Sequence, residues 1–387
     1  MSVEAFPDKL SNPFEKKRSK QTSFSSILFF YILKRFSFAF IGFFIGLLGL
    51  IYLITLVEVA DDLEGTGASF WVISQIVLYR LPELAEEIMP FMVLFAAMAT
   101  FWRLNKSSEL IIIKASGTSV WGILLPFAVG ATLIGVFAFS VLNPLSAALH
   151  TKNREIMQEY KGGEYNNSLN LSESGLWLRQ LNNQDDSLLT IHAKTLNQQT
   201  FELSDVMVLA LDKNEKFTGR YDSQTASLDD GFWVLKNGWY SRPGKQPEPF
   251  ETHKIPTELT LQKVQDSFAN PKAISFWQLR YYIDLLQTAG FTADKHRLQF
   301  HRQISKPALF LSMVLLAAIF SMRHHRKGGV GKMILYGVLT GFLLFFLSNF
   351  VIALGQSGKI PAYIAAWTPA AVSMMLGLTM LLHLEDG

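Results

Sequence analysis

The sequence predicts a membrane α-helical protein with six transmembrane helices, three before and three after an inserted extracytoplasmic antiparallel β jelly-roll domain. Two features lead to this fold class: six apolar stretches, and a long polar middle region in which apolar and polar residues alternate. The composition agrees with it. Of 387 residues, 49% are hydrophobic and 17% are charged, whereas soluble domains carry about 25% charged residues.

The six apolar stretches approach or exceed the length of helix that crosses the hydrocarbon core of a bilayer, about 20 residues. The first, at 36–57, is too long for the apolar core of a signal peptide and is followed by Glu58, so we expect a retained anchor. The other five predicted spans lie at 71–102, 120–142, 307–322, 333–354 and 363–383.

The distribution of lysine and arginine predicts the orientation of these spans. Cations cluster before span one, between spans two and three, and between spans four and five, whereas the other two short loops are acidic or carry a single Lys359. By the positive-inside rule both termini are then cytoplasmic and the polar middle region is extracytoplasmic, which means periplasmic in a cell with an outer membrane. The predicted parts are a cytoplasmic tail at 1–26, spans one to three at 27–150, the β domain at 151–272, and linking helices with spans four to six at 273–387.

The polar middle region has a hydrophobic period of two. Leu176, Leu178 and Leu181 alternate with polar neighbours apart from Trp177, and another strand is predicted at 232–240 between turn residues. Short strands separated by turns indicate a sandwich or jelly roll. Its apolar face is either the core of a stable domain or a groove for an acyl chain, and the pattern fits both.

A helical period returns after the β domain. Ser275 is the predicted N-cap of a helix at 276–288, which Gly290 ends. A second, polar helix starts near Thr292 and runs into span four. Against the positive-inside trend, it carries several cations on the extracytoplasmic side, namely Lys295, His296, Arg297, His301, Arg302 and Lys306.

The sequence contains neither an H-E-x-x-H nor a G-x-S-x-G motif, and we expect no catalytic site, no cofactor and no metal site. There are no cysteines, which removes thiolate ligands and cysteine nucleophiles. The stretch at 328–332 resembles a phosphate-binding loop, but the first glycine of that motif would fall on Arg326, and Met333 replaces its hydroxyl residue. A net charge of +3 gives no reason to expect nucleic acid as a partner. Glu86 and Glu87 are interpreted as facing a polar cavity or the interface rather than as a proton relay.

Two glycine pairs with a spacing of four residues mark helix faces that another helix can approach closely. Gly42 and Gly46 lie in span one, and Gly337 and Gly341 lie in span five. These faces either pack within the chain or form an interface with a second subunit.

Between spans two and three, the sequence predicts a short interfacial helix near 105–117 on the cytoplasmic side. A capping signal at Ser107-Ser108 opens this helix and Gly117 ends it. Its carboxylate, Glu109, stands among cations, which suits docking onto a basic partner. The alternative is a membrane-surface helix with no partner.

This segment resembles the coupling helix of the LptF/LptG permeases, which form the membrane part of the lipopolysaccharide export ABC transporter. The matching residues are Ser108-Glu109-Leu110 and Ala115-Ser116-Gly117. Further matches are Asn143-Pro144, Gly162-Gly163, Gly175-Leu176-Trp177 and the Leu-Leu-Gln-Thr-Ala-Gly stretch at 285–290. The Ala-Ser-Gly and Gly-Leu-Trp sequences are closer to LptG than to LptF. The resemblance covers most of 27–383.

The resemblance implies a permease subunit that extracts lipopolysaccharide from the inner membrane and passes it to a periplasmic bridge, driven by a separate ATPase subunit. The implied partners are an LptB-like ATPase dimer, an LptF-like second permease, an LptC-like single-span protein, lipopolysaccharide and membrane lipid. The two glycine pairs would lie at the interface with the second permease. Coupling to the ATPase would fall to Glu109, Leu110, Ala115, Ser116 and Gly117.

The resemblance also implies that cations bind the lipid phosphates. Arg154 falls where LptG-like proteins have a basic residue, and Lys152 is close to it. One departure is Thr55, because some family members have a basic residue late in span one. The hypothesis that follows is that cations of the second polar helix, Arg302 and Lys306 among them, compensate.

A rival interpretation is a membrane-anchored sensor or scaffold with an extracytoplasmic β domain and no transport activity. It has the same architecture but predicts no dependence on an ATPase partner. The two hypotheses therefore differ in whether the chain co-purifies with an ATPase.

Overall fold

A computed structural model describes residues 13–161, 167–172, 175–182, 187–197, 202–212, 216–229, 231–257, 270–289, 291–322 and 330–385. In this part of the chain, six helices are long and apolar enough to cross a membrane. Three precede and three follow an inserted antiparallel sheet. The predicted fold class, six spans with an inserted antiparallel β domain, is therefore confirmed.

The first half of the chain forms five helices: α1 (Pro13–Asp62), α2 (Phe70–Lys106), α3 (Glu109–Ala115), α4 (Val120–Phe137) and α5 (Asn143–Lys161). A short π-helical segment, Ala138–Leu142, joins α4 to α5 without a break in the helix. The backbone is already helical at Pro13, so half of the predicted tail at 1–26 belongs to α1.

After the sheet, the described residues from 270 onward form a 3₁₀ turn, Pro271–Ala273, and four helices: α6 (Phe276–Thr288), α7 (Asp294–Met322), α8 (Val330–Gln356) and α9 (Ala362–Glu385). Ser275 has extended backbone angles and occupies the predicted N-cap position of α6. The predicted polar helix and span four form one continuous helix, α7, with Pro307 inside it.

The inserted domain is a sheet of seven strands: β1 (Asn167–Ser172), β2 (Gly175–Asn182), β3 (Ser187–Asn197), β4 (Glu202–Leu211), β5 (Phe217–Asp229), β6 (Phe232–Ser241) and β7 (Glu248–Pro256). Each strand pairs antiparallel with its neighbour in sequence, in the order β1 to β7. The domain is thus a meander, without the non-consecutive neighbours of a Greek-key jelly roll among its described strands.

The meander curls back on itself. Gln180 on β2 donates a hydrogen bond to the carbonyl of Pro256 at the end of β7 (3.2 Å) and accepts one from the hydroxyl of Thr257 (2.8 Å). In a flat sheet, β2 and β7 would lie about 24 Å apart, at ~4.8 Å per strand. Strong curvature therefore gives the sheet an inner face.

That inner face is packed. Leu178, Ile191 and Val208 from alternate strand positions are buried in one cluster with Leu279 and Leu286 of α6. The part of the apolar face beneath α6 is therefore the core of the domain, the first of the two interpretations open from the sequence.

The boundary between the helices and the β domain lies later than the predicted residue 151. α5 stays helical to Lys161, and β1 starts at Asn167. The reason is packing, because Met157 and Tyr160 of α5 contact a buried cluster that includes Val59 of α1 and Val77 of α2.

The membrane core is built around α2, α4 and α7. The rings of Phe101 and Phe127 stack with centroids 4.2 Å apart, and both side chains are fully buried. A Cβ atom on Gly135 of α4 would stand 2.5 Å from the Cα of Pro307, so this crossing of α4 and α7 requires glycine.

Several residues singled out in the sequence lie outside the described part of the chain. They are Gly162, Gly163, Gly290, Arg326, Gly328 and Gly329.

Candidate functional site

The predicted cytoplasmic helix exists as α3, directly after α2. Leu110 and Ile113 are buried against the helices, whereas Ile111 and Ile112 are 47% and 66% exposed. Ser108 before the helix (φ 57°) and Gly117 after it (φ 83°) both adopt left-handed backbone angles. One face of α3 is therefore fixed to the bundle, and the other presents apolar side chains outward.

Glu109, the first residue of α3, is tied to α1. Its carboxylate accepts hydrogen bonds from the Tyr31 hydroxyl (2.7 Å) and the Ser107 hydroxyl (2.8 Å), and lies 3.2 Å from Nη1 of Arg35. Partial burial acts to raise the pKa of Glu109, but these donors and the Arg35 charge outweigh burial and lower it. The carboxylate is thus held ionised, with 27% of the side chain still exposed.

Three further predicted coupling residues lie at the other end of α3 from Glu109. Ala115, Ser116 and Gly117 are exposed at the end of α3. The Ser116 hydroxyl donates to the carbonyl of Ile113 at 2.7 Å, which satisfies one carbonyl of the last turn.

α3 and the sheet lie at opposite ends of one long helical stretch. This stretch runs for 41 residues, Val120–Tyr160, between the end of α3 and the start of β1. At 1.5 Å per residue its length is about 60 Å, roughly twice the ~30 Å hydrocarbon core. A bilayer therefore fits between them.

A second candidate site is a cavity of about 310 Å³ enclosed by α2, α7, α8 and α9 near the 3₁₀ turn. Its polar wall contains Glu86, Glu87, Lys272, Arg302 and Lys306. Its apolar wall includes Phe310, Met313, Phe345 and Ile352. A volume of this size and this mixed lining suit a small amphiphilic group.

Most charges of this cavity are paired. Nζ of Lys306 lies 2.5 Å from Oε2 of Glu86, and both side chains are about nine-tenths buried. Nζ of Lys272 lies 2.8 Å from carboxylate oxygens of both Glu83 and Glu87. Burial lowers the pKa of Lys272, but its two carboxylate partners outweigh burial and raise it. Lys272 therefore remains a cation.

The four predicted phosphate-binding cations are not brought together. Arg302 and Lys306 line the cavity, whereas Lys152 and Arg154 are exposed on α5 and do not line it. Glu86 neutralises the charge of Lys306, so a phosphate that bound Lys306 would compete with a buried carboxylate. Within the described ranges, no carboxylate lies within ion-pair distance of Arg302.

Three polar residues of this region, Glu83, His150 and Lys272, were not predicted from the sequence. Glu83 binds both Lys272 and Nδ1 of His150, the latter at 3.0 Å. The available signal was the spacing of Glu83, Glu86 and Glu87, which places three carboxylates on one face of α2. Such a face near the membrane requires cations, and Lys272 supplies one.

The two glycine pairs have different surroundings. A Cβ on Gly42 or Gly46 would meet no atom within 4 Å, so this face of α1 is open. A Cβ on Gly337 would stand 2.5 Å from Cε of Met98, and one on Gly341 would stand 3.0 Å from the ring of Phe91. The second pair therefore serves packing of α8 on α2, the intrachain alternative.

Comparison with known proteins agrees with this architecture. The family described as "Lipopolysaccharide export system permease LptF/LptG" matches residues 30–383. The chain is 23% identical over 352 residues to the lipopolysaccharide export system permease protein LptG of Haemophilus influenzae. It is 22% identical over 344 residues to the LptG proteins of two Escherichia coli strains, K12 and O6:H1. In each case the match covers 86% of this chain and 92% of the relative.

The family match includes both helical halves and the sheet between them, and six helices have the length and composition of membrane spans. We conclude that this multi-pass inner-membrane protein belongs to the lipopolysaccharide export system permease LptF/LptG family.

Proposed function

We propose that the chain is the LptG-like permease subunit of an ABC transporter that extracts lipopolysaccharide from the inner membrane. The transporter would pass the lipid to a periplasmic bridge toward the outer membrane. The observation that carries this proposal is α3, a short helix anchored by Leu110 and Ile113 that presents exposed Ile111 and Ile112 beside an ionised Glu109. A helix with one fixed and one free apolar face suits a protein partner.

ATP hydrolysis would be supplied by an LptB-like ATPase dimer on the cytoplasmic side. When the ATPase closes, it would push on α3, and the push would reach α1 through the contacts of Glu109 with Arg35 and Tyr31. Movement of α1 would change the space between the two permeases. A change between two conformations of the transporter can move the lipid only if the lipid is bound differently in each. The lipid must therefore contact helices that move.

A second, LptF-like permease would cover the open face of α1. The support is that a Cβ atom on Gly42 or Gly46 would meet no atom of another helix within 4 Å, so a further helix has room to approach them. The outer face of α8 is available as well, because Phe342, Leu343 and Phe346 are 64–66% exposed. An LptC-like single-span protein would join the same assembly, and its position stays a prediction.

Lipid phosphates would be bound by Lys152, Arg154 and Arg302. The first two are exposed on α5 between the spans and the sheet, and the third lines the intramembrane cavity without a carboxylate partner in the described ranges.

Exchanging Lys152 and Arg154 for Glu should abolish photocrosslinking of lipopolysaccharide to the chain. Undiminished crosslinking would remove these two residues from the proposal.

Co-purification tests the proposed function against a sensor or scaffold. The chain, co-expressed with an LptB-like ATPase and an LptF-like permease, should emerge from detergent extracts as one complex. Ile112→Asp should release the ATPase, because it places a charge on the exposed apolar face of α3. The matched control is Ser357→Asp, which adds the same charge at an exposed position beyond α8 and outside α3.

If the chain is recovered alone, or if Ile112→Asp retains the ATPase as well as the Ser357→Asp control does, the ATPase does not dock on α3. The sensor or scaffold interpretation would then be favoured.

A further inference from the structure

A groove of about 840 Å³ lies between the middle of α1 and the last turns of α2, beside α3, and shares no lining residue with the cavity described above. Its walls include Lys34, Arg35, Arg103 and Lys106, together with the aromatic side chains of Phe38 and Trp102. The function proposed above uses this region only through the contacts of Glu109 with Arg35 and Tyr31.

The groove carries an excess of positive charge. Four cations and one carboxylate, Glu109, line it, which gives a formal charge of +3 (4 − 1). Arg35 is engaged with Glu109 at 3.2 Å. Within the described part of the chain, Lys34, Arg103 and Lys106 have no carboxylate within ion-pair distance. Three cations in one groove are thus available to an anion.

The same groove has a membrane-facing wall. Phe38 is 66% exposed on the apolar stretch of α1. The ammonium of Lys34 lies 5.9 Å from the centroid of its ring, and that of Lys106 lies 5.1 Å from the Trp102 ring. Such pairs of a cation and an aromatic ring are typical of the level at which hydrocarbon gives way to headgroups.

We propose that this groove binds the phosphate headgroup of an anionic phospholipid, with Lys34, Arg103 and Lys106 on the phosphate and the start of the acyl chains against Phe38 and Trp102. The mixed lining favours a lipid over a soluble phosphate, because only an amphiphile satisfies the cations and covers the exposed ring together. Basic pockets between transmembrane helices bind anionic headgroups in this way. The proposal is independent of the export function.

Native mass spectrometry of the purified full chain in detergent tests the site. The probes are phosphatidylglycerol, phosphatidylethanolamine with the same acyl chains, and glycerophosphoglycerol, which has the phosphate without the acyl chains. We expect wild-type protein to retain phosphatidylglycerol in preference to phosphatidylethanolamine. We expect Lys34→Gln/Arg103→Gln/Lys106→Gln to weaken that binding by about tenfold or more, since each cation contributes.

The matched control is Lys245→Gln/Arg280→Gln/Lys359→Gln, which removes two lysines and one arginine from exposed positions outside the groove. It should bind phosphatidylglycerol as wild type does. Lys34→Arg/Arg103→Lys/Lys106→Arg keeps the charges and should also bind, which separates loss of the site from loss of folding.

Three results would overturn the proposal. The first is that the groove variant and the control variant lose phosphatidylglycerol binding equally, or that neither loses it. The second is that the charge-preserving variant loses binding although it stays monodisperse. The third is that glycerophosphoglycerol displaces phosphatidylglycerol at equal concentration, which would show that the groove binds a soluble phosphate rather than a lipid.

Discussion

At the scale of single residues, the charged side chains near the membrane are stabilised by partners that are distant in the sequence. Lys306 and Glu86 are separated by 220 positions, and Lys272 and Glu83 by 189. Because a charge buried without a partner costs several kcal/mol, these pairs link α2 to the second half of the chain. The spacing of the carboxylates on α2 was visible in the sequence. Their cationic partners were not predictable, because no pattern in the neighbouring residues identifies a partner so distant in the chain.

Removing one member of the buried pair should be more damaging than removing both. Lys306→Met leaves the Glu86 carboxylate without its cation, at a cost of about 3–5 kcal/mol. Glu86→Gln/Lys306→Met removes both charges and should recover more than half of that loss. Thermal unfolding of the purified protein in detergent measures the effect, with the exposed Lys359→Met as control. Equal destabilisation by the single and the double variant would contradict the pairing.

His253 on β7 provides a pH-dependent test of the sheet. Its ring stacks on Tyr221 with centroids 4.6 Å apart, and burial lowers its pKa below the usual 6.5. Since the unfolded chain binds the proton more readily than the folded chain, the sheet should lose stability as pH falls below 6.5. Histidine-selective NMR of the full chain, assigned with His253→Gln, should give a midpoint below 6.5. A midpoint at or above 6.5 would contradict the burial.

At the scale of secondary-structure elements, the apolar spans and their approximate ends were predictable because hydropathy is a local property. The six predicted spans coincide with α1, α2, α4, α7, α8 and α9, and Ser275 was predicted correctly as the N-cap of α6. The extent of α5 was not predictable in this way. Its helix is polar, and it is stabilised by contacts of Met157 and Tyr160 with other helices.

The crossing of α4 and α7 makes the sharpest prediction about an element. Gly135→Ala places a Cβ 2.5 Å from the Cα of Pro307, so the two helices must separate, at a cost of about 1–3 kcal/mol. Gly46→Ala is the matched control, because a Cβ there meets no atom within 4 Å. The thermal midpoint of the isolated chain should fall for the first variant only. Equal midpoints for the two variants would show that α4 and α7 do not cross there.

At the scale of the whole molecule, the proposed coupling requires that the bilayer separates α3 from the sheet. The 41-residue helical stretch between them is long enough, and the distribution of lysine and arginine predicts which end is cytoplasmic. The curvature of the sheet was not predictable, because it depends on contacts of Gln180 with residues 76 and 77 positions away. An antiparallel insertion was predictable from the period of two alone.

The most direct test is the sidedness of one residue at each end. The chain has no cysteine, so Lys114→Cys at the end of α3 and Lys245→Cys beyond β6 each introduce a single thiol at an exposed position. With the chain expressed without its ATPase, a membrane-impermeant maleimide that reaches the periplasm should label Lys245→Cys in intact cells. It should label Lys114→Cys only in inverted membrane vesicles. Labelling of both variants from the same side would contradict the proposed coupling across the membrane.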